Sequence, residues 1–170
     1  MSKVRNWTFV VFDMTASDFA RRVRLHRNLK KQGAAMHTQS VYCAPYTDAS
    51  FEQLQGLDEA VLVIKAEVPS EQIDELVGAY SIYVTKLCSE VRGKIDELED
   101  AKVLASDDAP SKRGYSKRLR KMYERLDHLE YISSLAKLCE GSVEDEIHDA
   151  VDAFRRRVEH IERQPSGQFL

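Results

Sequence analysis

The feature that most constrains this chain is a short apolar strand followed at once by a strongly basic helix. Residues 7–12 read WTFVVF, a run of aromatic and β-branched residues that predicts a buried strand. The strand ends at Asp13, and a helix is predicted over residues 17–32. Gly33 follows the last helical residue, where glycine is the usual C-terminal stop.

The chain after Gly33 predicts two more strands and a short helix. Residues 35–44 alternate between two faces and predict one strand, which Pro45 ends because proline cannot donate to a sheet ladder. Residues 51–57 predict a short helix, and AVLVIKAEV at residues 60–68 predicts a third strand. This order indicates an α/β first half that contains a βαβ unit.

From residue 70 onward the sequence predicts helices. An apolar stripe at helical spacing runs through residues 73–98, and ASDDAPSKRG at residues 105–114 predicts a linker. Residues 115–139 predict a second long helix, and Ser142 begins a final one. Five apolar residues of the final helix form a short heptad-like seam, which predicts packing against the chain's own helices or, as the alternative, contact with a helical protein partner: Ile147, Val151, Phe154, Val158 and Ile161.

Charge is distributed unevenly along the chain. Residues 1–46 carry eight Lys/Arg against two Asp/Glu, and residues 47–110 carry five against fifteen. Residues 111–140 carry eight against four, and residues 141–170 carry four against seven. Because basic and acidic segments alternate, the formal net charge of −3 can hide a basic surface.

Several classes of protein are disfavoured. No apolar run approaches the roughly 20 residues that span a bilayer, and the short run that leads into Asp13 is a poor signal peptide, so we expect no membrane partner. Cys43, Cys88 and Cys139 are widely spaced, which is typical of reduced thiols, and we predict a cytoplasmic protein. No glycine-rich phosphate loop, nucleophile elbow or zinc-protease motif occurs.

Asp13 is the first candidate for chemistry, because α/β folds commonly place their sites at strand ends. In a two-fold dimer, two copies of Asp13 could lie close together. Paired carboxylates favour a hard divalent cation such as Mg²⁺, which can activate water for attack on phosphate. The alternative is a carboxylate that only interacts favourably with the N-terminus of the following helix.

Two basic helices are candidates for nucleic-acid contacts, and the alternative for each is a solvated amphipathic surface. Guanidinium and ammonium groups bind phosphate oxygens without reading sequence. The helix within ARRVRLHRNLKKQ offers Arg21, Arg22, Arg24, Arg27, Lys30 and Lys31. The segment YSKRLRKMYER interleaves aromatic and basic residues, a pattern that can stack bases while holding phosphates, and offers Lys117, Arg118 and Lys121.

The N-terminal motifs resemble the small CRISPR-associated adaptation nucleases of the Cas-two type. That family has a strand that ends in Tyr/Phe-Asp-Ile/Met, an Arg/Lys-rich helix, and a strand with Gln and then Ser-Val-Phe/Tyr, and the matches are Phe12-Asp13-Met14 and Gln39-Ser40-Val41-Tyr42. The resemblance implies a ferredoxin-like homodimer that binds nucleic acid. It also implies that Asp13 is a metal ligand and catalytic residue, supported by Ser40. His37, on the same predicted strand, is a candidate proton carrier.

The same stretch is similar to the N-terminal domain of ChrB-type chromate-resistance regulators and the related module of PaaX-type repressors. They share Arg-Val-x-x-x-Arg-x-Leu-Lys-x-x-Gly-Ala, matched from Arg22 to Ala34, and a strand that closes on proline, matched from Val41 to Pro45. This resemblance implies a regulator or interaction module without catalysis.

We therefore expect an α/β (α+β) protein whose first half is ferredoxin-like and whose second half is a mainly helical extension. The expected parts are a βαββ core over residues 1–69, a long helix over 70–104, a linker over 105–114 and a helical extension over 115–170. The leading functional hypothesis is a nucleic-acid-binding homodimer, with Mg²⁺-dependent cleavage at Asp13 as one form of it. The alternative is a non-catalytic regulator of the ChrB or PaaX kind.

Overall fold

The computed structural model describes residues 6–104, 109–139 and 142–165, as two compact units. The first unit contains the chain up to Val84 together with a short segment that begins at Ser134. The second contains Thr85–Ser133 and the chain from Asp145 onward. Within the described residues, no helix is long and apolar enough to cross a membrane.

The first unit is built on a four-stranded antiparallel sheet. The strands are β1 (Asn6–Phe12), β2 (Ala35–Thr38), β3 (Val41–Pro45) and β4 (Val61–Glu67), in the order β2-β3-β1-β4. Helix α1 (Phe19–Lys31) connects β1 to β2, and helix α2 (Asp48–Gln55) connects β3 to β4. This βαββαβ order with an antiparallel sheet is the ferredoxin-like topology, so the predicted fold class is confirmed.

The single strand predicted over residues 35–44 is wrong, because the chain turns at residues 39–40 and forms a β2-β3 hairpin. Ser40 N donates to Thr38 Oγ1 at 3.4 Å, and Phe12 N donates to Ser40 O at 3.1 Å, which joins the turn to the end of β1. The turn contains no Gly, Pro or Asn, so the usual sequence signals of a hairpin are missing. The core therefore has four strands over residues 6–67, where the sequence predicted three.

Helices α1 and α2 cover one face of the sheet. Val10 and Phe12 of β1 meet Leu25 and Leu29 of α1 and Leu54 of α2 in a buried cluster. Alternate residues of a strand point to one face, and residues four apart share one side of a helix, so Val10 lies beside Phe12 and Leu25 beside Leu29. Each buried leucine contributes roughly 1.5–3 kcal/mol of burial free energy.

Gly33 ends α1 as predicted. Its φ of 79° lies in the left-handed region, which other L-residues rarely adopt. Gly33 N donates to Lys30 O at 3.1 Å and Ala34 N donates to Leu29 O at 3.0 Å, so carbonyls in the last turn of the helix find partners. Thr47 caps the N-terminus of α2, because its side-chain oxygen accepts a hydrogen bond from Ser50 N at 3.1 Å.

The second unit is made of long helices. Its residues come from α3 (Ser70–Leu104), α4 (Ala109–Ala136) and α5 (Ser142–Arg163). Since α4 begins at Ala109, the second half of the predicted linker is helical, and residues 105–108 lie outside the described residues.

The heptad-like seam of α5 is buried by the chain's own helices. All five seam residues are at most 6% exposed, so the alternative prediction of a helical protein partner at this seam is wrong. Arg157 forms ion pairs with Asp96 and Glu99 of α3, and Arg155 pairs with Glu130 of α4. These ion pairs hold α5 against α3 and α4. The apolar stripe of α5 is barely two heptads long and is buried within its own unit.

Candidate nucleic-acid interface

Helix α1 separates an apolar side from a basic side. Leu25 and Leu29, four residues apart, are buried against the sheet. Four basic side chains on the rest of the helix are exposed: Arg24, Arg27, Lys30 and Lys31. At about 100° per residue they occupy roughly one third of the helix circumference, and Arg24 and Lys31 lie about 10 Å apart along the axis. We call these four residues the α1 basic surface.

Arg21 is engaged within the protein. Its Nε donates to Asp58 Oδ2 at 2.9 Å and its Nη2 to Asp58 Oδ1 at 2.5 Å, a two-pronged ion pair, while Glu59 lies 3.4 Å away. The hydrogen bonds from Arg21 and from Ala60 N hold the pKa of Asp58 below its usual range. Arg21 therefore ties α1 to the segment before β4, and it is not part of the α1 basic surface.

Arg22 belongs to an aromatic cluster beside the end of β1. Arg22 Nε donates to His26 Nε2 at 3.4 Å, and His26 Nδ1 and Tyr42 Oη form a hydrogen bond 2.5 Å long. The His26 ring packs edge-on against Phe12, with ring centres 5.5 Å apart. Burial first, and then the charges of Arg22 and Lys30, lower the pKa of His26. His26 is thus a packed histidine, and Arg22 positions it.

Asp13 is exposed at the end of β1. The β2-β3 turn lies at the same end of the sheet, since Ser40 O accepts from the N–H of Phe12. Ser40 is therefore a neighbour of this strand end through its backbone. His37 is exposed on β2, and β3 separates its strand from β1. The structure does not bring His37 and Asp13 together.

The predicted magnesium ligand Asp13 depends on which other ligating side chains the described residues of one chain bring together. No group of three or more His, Cys, Asp or Glu side chains among them could hold a metal ion. Mg²⁺ can bind through one or two carboxylates when substrate phosphates complete its shell, but a single exposed Asp13 is a poor ligand set by itself. A second copy of Asp13 would be needed.

The second basic segment lies on α4, within the second unit. Lys117, Arg118 and Lys121 are exposed there, and Arg118 and Lys121 line a cleft of about 220 Å³. Sequence reasoning missed Lys94 of α3, which lines the same cleft. Lys94 stands in the acidic segment of residues 47–110, so a count of charges along the chain concealed it. The spacing of residue 94 relative to the apolar residues of the stripe was the sequence signal that could have predicted the side of α3 on which Lys94 lies.

The sheet face opposite α1 and α2 is partly open. Leu62 is 61% exposed and Ile64 is 39% exposed on β4. Their partners in the β1 register are Val11 and Phe9, which are half-buried on the same face. We call these four residues the open sheet patch. The sequence did not single it out, since strand residues exposed on one face look the same as buried ones.

The comparisons with known proteins identify no family. No family model matches the chain, and no curated protein matches it. Among solved structures, the chain is similar to uncharacterized protein Rv0674 from Mycobacterium tuberculosis, with a TM-score of 0.46 and 12% sequence identity. The match covers 95% of this chain and 65% of that chain, so this chain spans less than two thirds of that protein's length. A similarity at this level carries no argument about function.

Proposed function

We propose that this protein binds nucleic acid through the phosphate backbone, with the α1 basic surface as its main contact. The observation that carries the proposal is the exposure of Arg24, Arg27, Lys30 and Lys31 on one part of a helix that packs on the sheet. Along the helix axis these residues extend about 10 Å, the rise of roughly three base pairs of duplex. Contacts of this kind give affinity without sequence specificity.

The N-terminal motifs support the same function. They resemble the Cas-two-type nucleases, which bind nucleic acid, and the ChrB and PaaX modules, which belong to regulators. Arg24, Arg27 and Lys30 fall inside the matched helix.

We propose that the protein is a homodimer through the open sheet patch. Exposed apolar side chains that cluster on one sheet face are typical of an interaction surface. A second copy is the natural occupant, because a two-fold axis places the same patch on both sides and two antiparallel sheets pack well face to face. Leu62 and Ile64 would lose the most exposed surface in this contact, because they are the most exposed residues of the patch.

Phosphodiester cleavage is the second candidate function, and the exposure of Asp13 at a strand end favours it. It would require Asp13 of both copies to meet, since no group of three or more His, Cys, Asp or Glu side chains among the described residues of one chain could hold a metal ion. A regulator of the ChrB or PaaX kind requires only the α1 basic surface. The two differ in whether Asp13 has any role besides its position before a helix.

A binding titration at low salt tests the proposal. Fluorescence anisotropy would follow labelled duplex DNA, single-stranded DNA and RNA, with and without Mg²⁺. The variant Arg24→Gln/Arg27→Gln/Lys30→Gln should bind at least about tenfold more weakly, because each lost charged contact removes favourable free energy. The control Lys86→Gln/Lys137→Gln/Arg156→Gln removes three exposed charges outside α1 and should bind like the wild type. Absence of binding by the wild type would contradict the proposal.

The variant Asp13→Ala separates the two forms of the function. Metal-dependent cleavage that disappears in this variant while binding persists would establish a nuclease. Binding without cleavage, with the same affinity in the wild type and the variant, would establish the non-cutting binder. Gel analysis of the nucleic acid after incubation with Mg²⁺ gives the readout.

A further inference from the structure

A second basic site lies in the cleft between α3 and α4. Seven residues line it: Lys94, Glu97, Leu98, Arg118, Lys121, Met122 and Arg125. The α4 residues are spaced 118, 121, 122 and 125 along the chain, so a single side of that helix faces the cleft. All seven belong to the second unit. We call this cleft the α3–α4 cleft.

The cleft holds more positive than negative charge. Lys94 Nζ lies 2.7 and 2.8 Å from the two carboxylate oxygens of Glu97, so this pair is neutral. The Lys94 hydrogen bond first, with smaller contributions from Arg118 and Arg125, holds the pKa of Glu97 below its usual range. Arg118, Lys121 and Arg125 form no ion pair with an acid in the part of the chain that the structure describes. Three cations therefore remain to attract an anion.

The floor of the cleft is apolar. Leu98 is 1% exposed and Met122 is 2% exposed. Low-dielectric walls strengthen the attraction between the cations and an anion held among them. The volume of about 220 Å³ is smaller than the roughly 300–1,000 Å³ of sites for drug-sized ligands. It suits one phosphate group with a small part of the molecule that carries it.

We infer that the α3–α4 cleft binds a single phosphate group of a phosphorylated ligand. Arg118 and Arg125 can each fork onto two phosphate oxygens, and Lys121 adds a point charge. The inference deepens the proposed function, because Arg118 and Lys121 belong to the second basic segment, but it does not depend on the α1 basic surface. The phosphate can come from a small metabolite or from the backbone of bound nucleic acid.

Calorimetric titration with 2′-deoxyadenosine 5′-monophosphate, and with 2′-deoxyadenosine for comparison, tests the inference at low salt. The variant Arg118→Gln/Lys121→Gln removes two cations from the cleft. The control Lys86→Gln/Arg156→Gln removes two exposed cations of the same unit that do not line it. Melting temperatures of both variants would establish that they fold. Duplex DNA binding is measured on the same three proteins and on the α1 variant.

A small phosphorylated ligand is the source if the monophosphate binds, the nucleoside does not, and the cleft variant alone binds about tenfold more weakly. Nucleic acid is the source if only duplex DNA binds and the cleft variant, but not the Lys86→Gln/Arg156→Gln control, weakens this binding. Either result supports the inference. Equal binding by the cleft variant and the control in both titrations overturns it. If the inference is overturned in this way, loss of duplex binding in the α1 variant alone still supports the proposed function. If the wild type binds the monophosphate but not duplex DNA, the inference about the cleft is supported and the proposed function is contradicted.

Discussion

His26 shows how one residue can carry a pH response that belongs to the fold. Its imidazole lies between Phe12 and Tyr42, with Arg22 on the outer nitrogen. Burial and the nearby cations lower the pKa of His26 in the folded state below its usual value of 6.5. The unfolded chain therefore binds the proton more readily, so this residue's contribution to stability is present above pH 6.5 and is lost as pH falls through the lowered pKa.

We expect the free energy of unfolding to fall between pH 7 and pH 5 more steeply in the wild type than in His26→Gln. Glutamine does not titrate, so only the histidine contribution disappears from the slope. Urea denaturation at several pH values measures the difference. Parallel slopes for the two proteins would show that His26 titrates alike in the folded and unfolded states.

Two thiols are predicted to be chemically silent. Burial raises the pKa of Cys43 and the pKa of Cys139 to about 12 each, so almost no thiolate exists at neutral pH. At pH 8 iodoacetamide should leave both cysteines unmodified in the native protein and should modify both in 6 M guanidinium, as read by mass spectrometry. Rapid labelling of Cys43 in the native protein would contradict its burial in the sheet.

At the scale of elements, the sequence located strands β1 and β4 and the helices, because their apolar residues repeat at the spacing of each element. The α5 seam is buried as its spacing predicts. The β2-β3 hairpin was missed because its turn is held by contacts that one segment cannot reveal, chiefly the bond from Phe12 N to Ser40 O. The same limit applies to the site. The sequence predicted Arg21 as a phosphate ligand, but in the structure Arg21 forms an ion pair with Asp58, which lies thirty-seven residues later in the chain.

The α5 seam offers a direct test at this scale. Ile161→Ala should lower the free energy of unfolding by about 2–5 kcal/mol, because the side chain is fully buried and its removal leaves a cavity. The exposed substitution Arg156→Ala on the same helix should change stability little. Chemical denaturation of the purified protein provides both values. If Ile161→Ala left stability unchanged, the seam would not be packed within the chain.

At the scale of the whole molecule, the proposed dimer contact is the open sheet patch. Leu62→Asp should convert the proposed dimer to a monomer that still folds, since the side chain is 61% exposed in one chain. Ile82→Asp, at a residue of α3 that is 73% exposed, is the matched control and should leave the assembly unchanged. Sedimentation velocity distinguishes these results, and a wild type that sediments as a monomer would contradict the proposed dimer.

The central claim is that the α1 basic surface binds phosphates, and the salt dependence of duplex DNA affinity tests it most directly. Each neutralised phosphate contributes about 0.9 to the slope of log affinity against log salt concentration. Relative to the wild type, Arg24→Gln/Arg27→Gln/Lys30→Gln should be shallower by about 2.7, and Lys86→Gln/Lys137→Gln/Arg156→Gln should keep the full slope. Equal slopes for the wild type and the α1 variant would contradict the claim.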